Sequence, residues 1–505
     1  VPTRRTLLKG GAAALTAAGL GVLGTGGSAL AARTDWERLR RSLSGRLVLP
    51  SDADYDLARQ LHRTTFDGVR PAGVAYCATV DDVRACLSFA QHNDVPAVAR
   101  SGGHSYGGYS TTTGLVIDVS RLNGVRVGEK TTVMGPGAQL VDVVNATGAA
   151  GVALAGGICP TVAMGGYLQG GGIGWQTRAL GLGSDSVRSL QVVLADGSVV
   201  TCSEQVRPDL FWALRGGGGG NFGVVTRYER RNSVAPRMVN YTLAWTGDHV
   251  QDVVAGWQRW LPSAPREMSA RCLLGLFNAA PGAAPLLMTD GTFLGSPEDL
   301  AGHLDALVSE IGRAPQARDV QDLGFTAGMM AWFKCSEKTV AQCHRVGQNP
   351  DATLPRGGFS IERSRLFDRD VPESGLAEIL AAFDADRRAG HIRMVHFFAL
   401  GGAANDVPRT ATAYVHRSAR FSVDLAAALP PVMDREEERA AARAWVDRVF
   451  GVTDRYSSHE TYQNYIDPAL TDWRRSYYAE NYPRLVSVKR AYDPHGFFEF
   501  AQSIG

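Results

Sequence analysis

The sequence predicts an α+β fold in two domains, and three observations carry that prediction. The 505 residues exceed the length at which a single hydrophobic core stops growing. The first half alternates short β-rich runs with one helix and then enters a glycine-dense stretch. From about residue 232 the glycine clusters thin out, and strands and helices alternate at larger spacing, as a second domain with its own sheet requires.

The elements follow in order. Residues 1–32 hold Thr3-Arg4-Arg5-Thr6-Leu7-Leu8-Lys9, an Ala/Gly/Leu run to about Leu23, and Ala29-Leu30-Ala31 at A-x-A spacing. This resembles a twin-arginine export signal, which implies the twin-arginine export machinery as a partner, a secreted or extracytoplasmic location, and passage as a folded protein with its cofactor inside. The run is short, Gly-rich and weakly apolar, so no stable membrane anchor is expected.

A first domain spans residues 33–231. Gly73-Val74-Ala75-Tyr76-Cys77, a helix over 80–93 and Val95-Pro96-Ala97-Val98-Ala99 read as a β-α-β unit. Thr79 is placed to cap that helix, with Asp81 and Asp82 at the positive end of its dipole. Strands are predicted at 115–118, 125–127 and 132–134, a helix at 139–147, and a hairpin turning at Ala195-Asp196-Gly197-Ser198. In the second domain, residues 232–450, strands are predicted at 239–245, 270–277 and 286–293, with helices ending near 261 and 311. Tyr414, in Ala413-Tyr414-Val415-His416-Arg417, is expected on a strand with a packing role. The run Asp434-Arg435-Glu436-Glu437-Glu438-Arg439 is expected to open a helix with a solvated face.

Charge and cysteine usage narrow the function. Lys+Arg of 52 against Asp+Glu of 50 leaves +2, which offers no field for nucleic acid. The seven cysteines leave an even six if one is engaged chemically; Cys86 and Cys202 fit small buried hydrophobes, and Cys335 and Cys343, eight apart, are spaced to bridge. No H-E-x-x-H, paired C-x-x-C or acidic cluster with metal-ligand spacing occurs in the sequence.

Two segments carry the chemistry. Arg100-Ser101-Gly102-Gly103-His104-Ser105 ends a strand in a glycine turn whose backbone N–H groups suit a pyrophosphate. Gly156-Gly157-Ile158-Cys159-Pro160-Thr161-Val162 runs on through Gly165, Gly166, Gly170 and Gly174, small residues on which a planar ligand could lie. A third run, Gly218 to Gly223, matches G-x-G-x-x-G but follows a helix and precedes a strand, the reverse of a nicotinamide fingerprint.

Together these segments resemble the berberine bridge enzyme-like branch of the vanillyl-alcohol oxidase and p-cresol methylhydroxylase flavoproteins. The resemblance runs over about residues 68–231 and returns in Tyr462-Gln463-Asn464-Tyr465-Ile466-Asp467. It implies a two-domain p-cresol methylhydroxylase-type FAD-binding fold, with a substrate domain built on an antiparallel sheet covered by helices. Residues 451–505 would return to the FAD domain. It implies FAD bound twice, His104 to the 8α-methyl and Cys159 to C6, with Gly223, Val225 and Asn464 also against the cofactor. Such tethering prevents loss after export and makes the flavin a stronger oxidant.

The resemblance further makes Tyr465 the catalytic base, with Tyr462 beside it, for an alcohol that gives its hydride to flavin N5. A tyrosine titrates near ~10, so this role needs a nearby cation or hydrogen-bond donors. Val162 matches the residue that governs oxygen access, as in oxidases that form H2O2. Tyr167 and Ile173 depart from the family's usual histidine and aromatic, which touches substrate contacts. The implied partners are a small-molecule substrate and molecular oxygen. A dehydrogenase would differ by slow reoxidation in air, and a flavin-holding binding protein by a flavin that no substrate bleaches. A sugar hydroxyl and a hydroxyl on a secondary metabolite both remain open as substrate, since the 9 tryptophans suit either.

Overall fold

The structure, a computed structural model, describes residues 35–505; the expected export segment lies outside the described residues. Thr79 shows how the first domain is assembled. Its side chain accepts the N–H of Asp82, and the Asp82 carboxylate in turn accepts from the N–H groups of Thr79, Ala78, Ser44 and Gly45. This reciprocal cap starts the helix Val80–His92 and ties it to the neighbouring chain.

Strands β1 (Arg46–Val48), β2 (Gly73–Tyr76), β3 (Ala97–Arg100) and β4 (Leu115–Asp118) form a sheet in the order β1-β2-β4-β3. The helix does join β2 to β3, yet the two are not neighbours: each runs parallel to β4, which lies between them. All four residues of β4 are buried, so it takes the position covered on both faces.

A second sheet is antiparallel, with β5 (Val125–Val127), β6 (Thr131–Met134), β8 (Val187–Val193), β9 (Val199–Ser203) and β10 (Val224–Arg231) in the order β5-β6-β10-β8-β9. The short β7 (Val152–Ala153) pairs with β11 (Ser233–Val234). The last sheet has seven antiparallel strands: β12 (Val239–Trp245), β13 (Met268–Leu276), β14 (Leu286–Phe293), β15 (Ala317–Asp322), β16 (Ser360–Phe367), β17 (Ile392–Ala399) and β18 (Phe421–Ala428), ordered β15-β12-β14-β13-β17-β18-β16. Its strands alternate. On β17, Val395 and Phe397 are buried under helices, where Trp257 meets the rings of Phe397 and Phe421. Met394, His396 and Phe398 point to the opposite face, toward the first domain's glycine segments.

Two expectations of the second domain are corrected. Tyr414 lies in irregular chain between β17 and β18, because its ring packs over Gly171 and against Tyr462 rather than pairing in a ladder. The helix Glu436–Asp454 does not present a purely solvated charged face: Glu438 accepts from buried His391 at 2.8 Å and also holds Arg388. Cys335 and Cys343 form a disulfide. Cys77, Cys86, Cys202 and Cys272 are buried free thiols. Among the described residues no helix is long and apolar enough to cross a membrane.

Candidate active site

β3 ends at Arg100, and the chain turns there because the guanidinium is committed inward. Arg100 pairs with Asp118 on β4 and donates to the Ala58 carbonyl at 2.9 Å, fully removed from solvent. It anchors the turn through Nε and one terminal nitrogen, while its Nη1 is buried with no hydrogen-bond partner among the described residues, and Arg100 is itself part of the lining of the cavity that follows. Ser101 to Ser105 then line a large cavity. Gly102 must lack a side chain, since a Cβ there would sit 2.8 Å from the Ala163 nitrogen. That close approach brings the first glycine segment against the second.

His104 reaches the same cavity with its Nε2 2.8 Å from the Thr161 hydroxyl and its ring stacked on His62, centroids 4.0 Å apart. Burial, then His62 and the guanidinium groups of Arg63 and Arg345, hold His104 well below the usual imidazole range. The ring is therefore neutral. Cys159 opens onto the cavity two residues before Thr161; burial and the Glu362 carboxylate push its thiol up to about 11, against the pull of Arg63. Val162, Gly165 and Gly166 line the wall beyond it, and Gly223 and Val225 line it from the third glycine run. That run does follow a helix, Pro208–Ala213, and lead into β10.

Two glycines singled out from the sequence do not line the main cavity. A Cβ on Gly170 would collide with the Asn464 side chain, and one on Gly174 with the Gly156 carbonyl, so both are spacers between packed segments. Gly174 reaches only a smaller cavity beside the main one.

The C-terminal segment closes the site. Tyr462 is buried, and its hydroxyl oxygen accepts the N–H groups of Gly172 at 2.9 Å and Ile173 at 3.2 Å and the Asn464 amide at 2.8 Å. Asn464 also donates to the Tyr167 carbonyl. The donors expected around Tyr465 are thus found on Tyr462, where they hold backbone in place. Tyr465 stacks on Tyr106, centroids 5.1 Å apart, and Arg63 lies 3.9 Å over the other ring while paired with Glu362 at 2.7 Å. Burial, then Asp424, Tyr462, Cys159 and Glu362, all hold the Tyr465 phenol well above its usual value. The cation expected to stabilise a Tyr465 phenolate is not what faces it.

What faces Tyr465 is a set of residues that sequence reasoning missed. A side cavity of about 60 Å³ is lined by Tyr465, Ile158, Ile173, Phe398, Arg271, His396 and Asp424. Arg271 is spent on Asp290, 2.9 Å through Nε. Asp424 and His396 are cross-strand partners, and Asp424 Oδ1 and His396 Nε2 are buried with no hydrogen-bond partner. Burial pushes the Asp424 carboxyl up to about 7, and burial with Arg271 lowers His396 to about 3. The available signal was a carboxylate at an alternating position of a mainly apolar strand, in Phe421-Ser422-Val423-Asp424-Leu425.

The main cavity suits FAD on its own evidence. Its walls are rich in glycine backbone and apolar side chains, and Arg100 Nη1, Gln169 Oε1 and Ser110 Oγ of its lining residues are buried without partners among the described residues. A dinucleotide held by backbone N–H groups fits such a cradle.

Comparison with known proteins adds the following. Residues 71–203 match a family described as FAD binding domain, and residues 461–505 one described as berberine and berberine like. The chain is 30% identical over 472 residues to the uncharacterized FAD-linked oxidoreductase YgaK of Bacillus subtilis, covering 92% of this chain and 98% of that one. It is 29% identical over 456 residues to the xylooligosaccharide oxidase of Thermothelomyces thermophilus, covering 86% and 87%. Among solved structures, BBE-like 1 of Physcomitrella patens shares the fold with a TM-score of 0.82 at 24% identity, over 93% of this chain and 98% of that chain.

Proposed function

Since the chain belongs to the berberine bridge enzyme-like FAD-linked oxidoreductases of the p-cresol methylhydroxylase-type superfamily, we propose that it is an exported oxidase that holds FAD through both His104 and Cys159 and oxidises an alcohol group of a sugar or secondary metabolite. The observation that carries this reading is the convergence of His104, Cys159 and Tyr465 on one glycine-walled cavity. Thr161 engages His104 Nε2, which leaves Nδ1 of a neutral ring for the bond to the flavin 8α carbon. Cys159 would bond C6. Gly102, Gly103, Gly165, Gly166 and Gly223 would give close backbone approach to the cofactor.

FAD, when bound, supplies the hydride acceptor at N5 and passes the electrons to O2, giving H2O2. The chain's residues handle the proton. Tyr465 keeps its own proton and orients the substrate hydroxyl, and Asp424 takes the hydroxyl proton. A carboxylate raised toward neutrality by burial is basic enough for that transfer and still ionised in useful amount. Tyr462 is a positioning residue, holding Gly172 and Ile173 beside the reacting centre. Val162 on the cavity wall supports the oxidase over a dehydrogenase, and the Cys335–Cys343 disulfide supports an oxidising compartment reached by the twin-arginine route.

The test is to purify the flavin-loaded enzyme, mix it anaerobically with candidate alcohols and follow bleaching of the flavin absorbance. Air is then admitted and peroxide measured. Bleaching followed by rapid recovery with stoichiometric peroxide is expected. Recovery only with an artificial acceptor would make the enzyme a dehydrogenase, and a flavin that no alcohol bleaches would overturn the proposed reaction.

A further inference from the structure

Both segments that carry the tethering residues are rich in glycine, a backbone that holds no single conformation by itself. His104 follows Gly102 and Gly103, the latter at a φ of 69°, and Cys159 follows Gly156 and Gly157. Bond formation needs its reacting atoms held about 3–3.5 Å apart, so each segment requires a restraint from outside itself. One stretch of the second domain reaches both.

Residues 335–357 form a strap whose base is closed by the Cys335–Cys343 disulfide. Its limbs pair: the Leu354 N–H donates to the His344 carbonyl and the Val346 N–H to the Leu354 carbonyl, each at 2.9 Å. His344 follows the disulfide and has both ring nitrogens against oxygen, Nδ1 2.8 Å from the Val340 carbonyl and Nε2 3.1 Å from the Asp142 carboxylate. Asp142 stands in the first turn of the helix Leu140–Gly148. In that turn the Leu140 and Val141 N–H groups donate to the carbonyls of Val162 at 2.9 Å and Pro160 at 3.0 Å, on the chain just beyond Cys159. Arg345, the next residue of the strap, takes the other side. It donates to the Leu61 carbonyl at 2.8 Å, and Arg356 donates to the same oxygen at 3.0 Å while holding Asp67. The other end of that peptide group is the His62 N–H, which donates to the Gly103 carbonyl at 3.0 Å. The Gly357 N–H holds the His62 carbonyl at 3.0 Å, and the His62 ring carries the stack on His104.

We infer that this strap positions both tethering residues for the flavin, His104 through Arg345, Arg356 and the His62 ring, and Cys159 through His344 and Asp142. The inference rests on the bicovalent reading above. All five are positioning residues, since each stands outside the lining of the main cavity. The two arms are separable because they grip different segments: one fixes the peptide behind Gly103, the other the helix that holds the carbonyls of residues 160 and 162.

The experiment uses backgrounds with one tether. In Cys159→Ala only His104 can hold flavin covalently, and in His104→Ala only Cys159 can. Intact mass after denaturation gives the fraction of chains that keep it. Arg345→Ala combined with Arg356→Ala is expected to lower that fraction about two-fold or more in the first background and to leave the second unchanged, and His344→Ala to do the reverse. An equal fall in both backgrounds, or a fall in neither, overturns the inference, because a general loss of stability acts on both tethers alike. His62→Ala, which leaves the strap intact, must repeat the effect of the arginine pair, and His62→Phe, which restores a stacking ring, must reverse it. An unchanged His104 tether in His62→Ala overturns the inference even where the arginine variant does not fold. If both backgrounds release all their flavin with the strap intact, the bicovalent reading fails. The strap is then judged on flavin dissociation from the native enzyme, which its variants must speed about ten-fold, and an unchanged rate overturns the inference as well.

Discussion

Asp424 and His396 lie opposite each other on β18 and β17, and each carries a buried polar atom that nothing among the described residues satisfies. Each such atom costs about 1–3 kcal/mol while it stays unpaired. Their cavity is shared with Tyr465, which makes them the polar end of the proposed reaction site.

Asp424→Asn should lower the rate of flavin reduction by about 10²-fold or more while flavin binding persists. In the parent enzyme that rate should rise with pH through about 7, because the base is the ionised carboxylate and burial raises its pKa. The sign for stability is opposite. Between the unfolded value near ~3.9 and about 7 the folded state holds the extra proton, so its stability falls as pH rises through that window. Asp424→Asn should therefore raise the melting temperature at pH 8 and leave it nearly unchanged at pH 4. Stopped-flow kinetics and thermal melts at several pH values check both signs.

Tyr465 and Tyr462 should separate cleanly. Tyr465→Phe is expected to slow flavin reduction by about 10–10²-fold with little change in stability, since it removes a hydroxyl placed at the substrate. Tyr462→Phe strands the N–H groups of Gly172 and Ile173 and should cost about 1–3 kcal/mol of stability, with the pH profile of flavin reduction unmoved. Denaturant melts and the pH profile, run on both variants, distinguish the two.

Arg100→Ala should destabilise the fold by about 3–5 kcal/mol, because it leaves the Asp118 carboxylate buried without its cation, although the Ser120 N–H still donates to it. A phosphate-holding arginine would instead show its loss in flavin content at unchanged stability. Denaturant unfolding of the flavin-free variant decides between them.

Much of the fold was legible because its signals are local. The Thr79 cap, the strands at 239–245 and 286–293, and the helix-then-strand context of the third glycine run depend on neighbours in sequence, and the structure has them as read. The insertion of β4 between β2 and β3 depends on which strand is buried on both faces, which no local pattern encodes. The candidate site divides the same way. Ser101 to Ser105, Cys159 and Val162 announce themselves by glycine and proline around reactive side chains, and all line one cavity. Arg100 of the same motif also reaches that cavity, but its pairing with Asp118, 18 residues on and across a strand pair, could not be read from the motif. Asp424 and His396 stayed hidden because each is an isolated polar residue in a mainly apolar strand, and only the register of β17 with β18 brings them together.

The most direct test of the central claim is the intact mass and visible spectrum of the denatured protein, taken on the parent chain and on His104→Ala and Cys159→Ala separately. The account predicts one FAD retained through denaturation in the parent and in each single variant, and its release only when both residues are replaced. Loss of the flavin from the denatured parent would contradict bicovalent attachment, and loss from either single variant would leave just one tether.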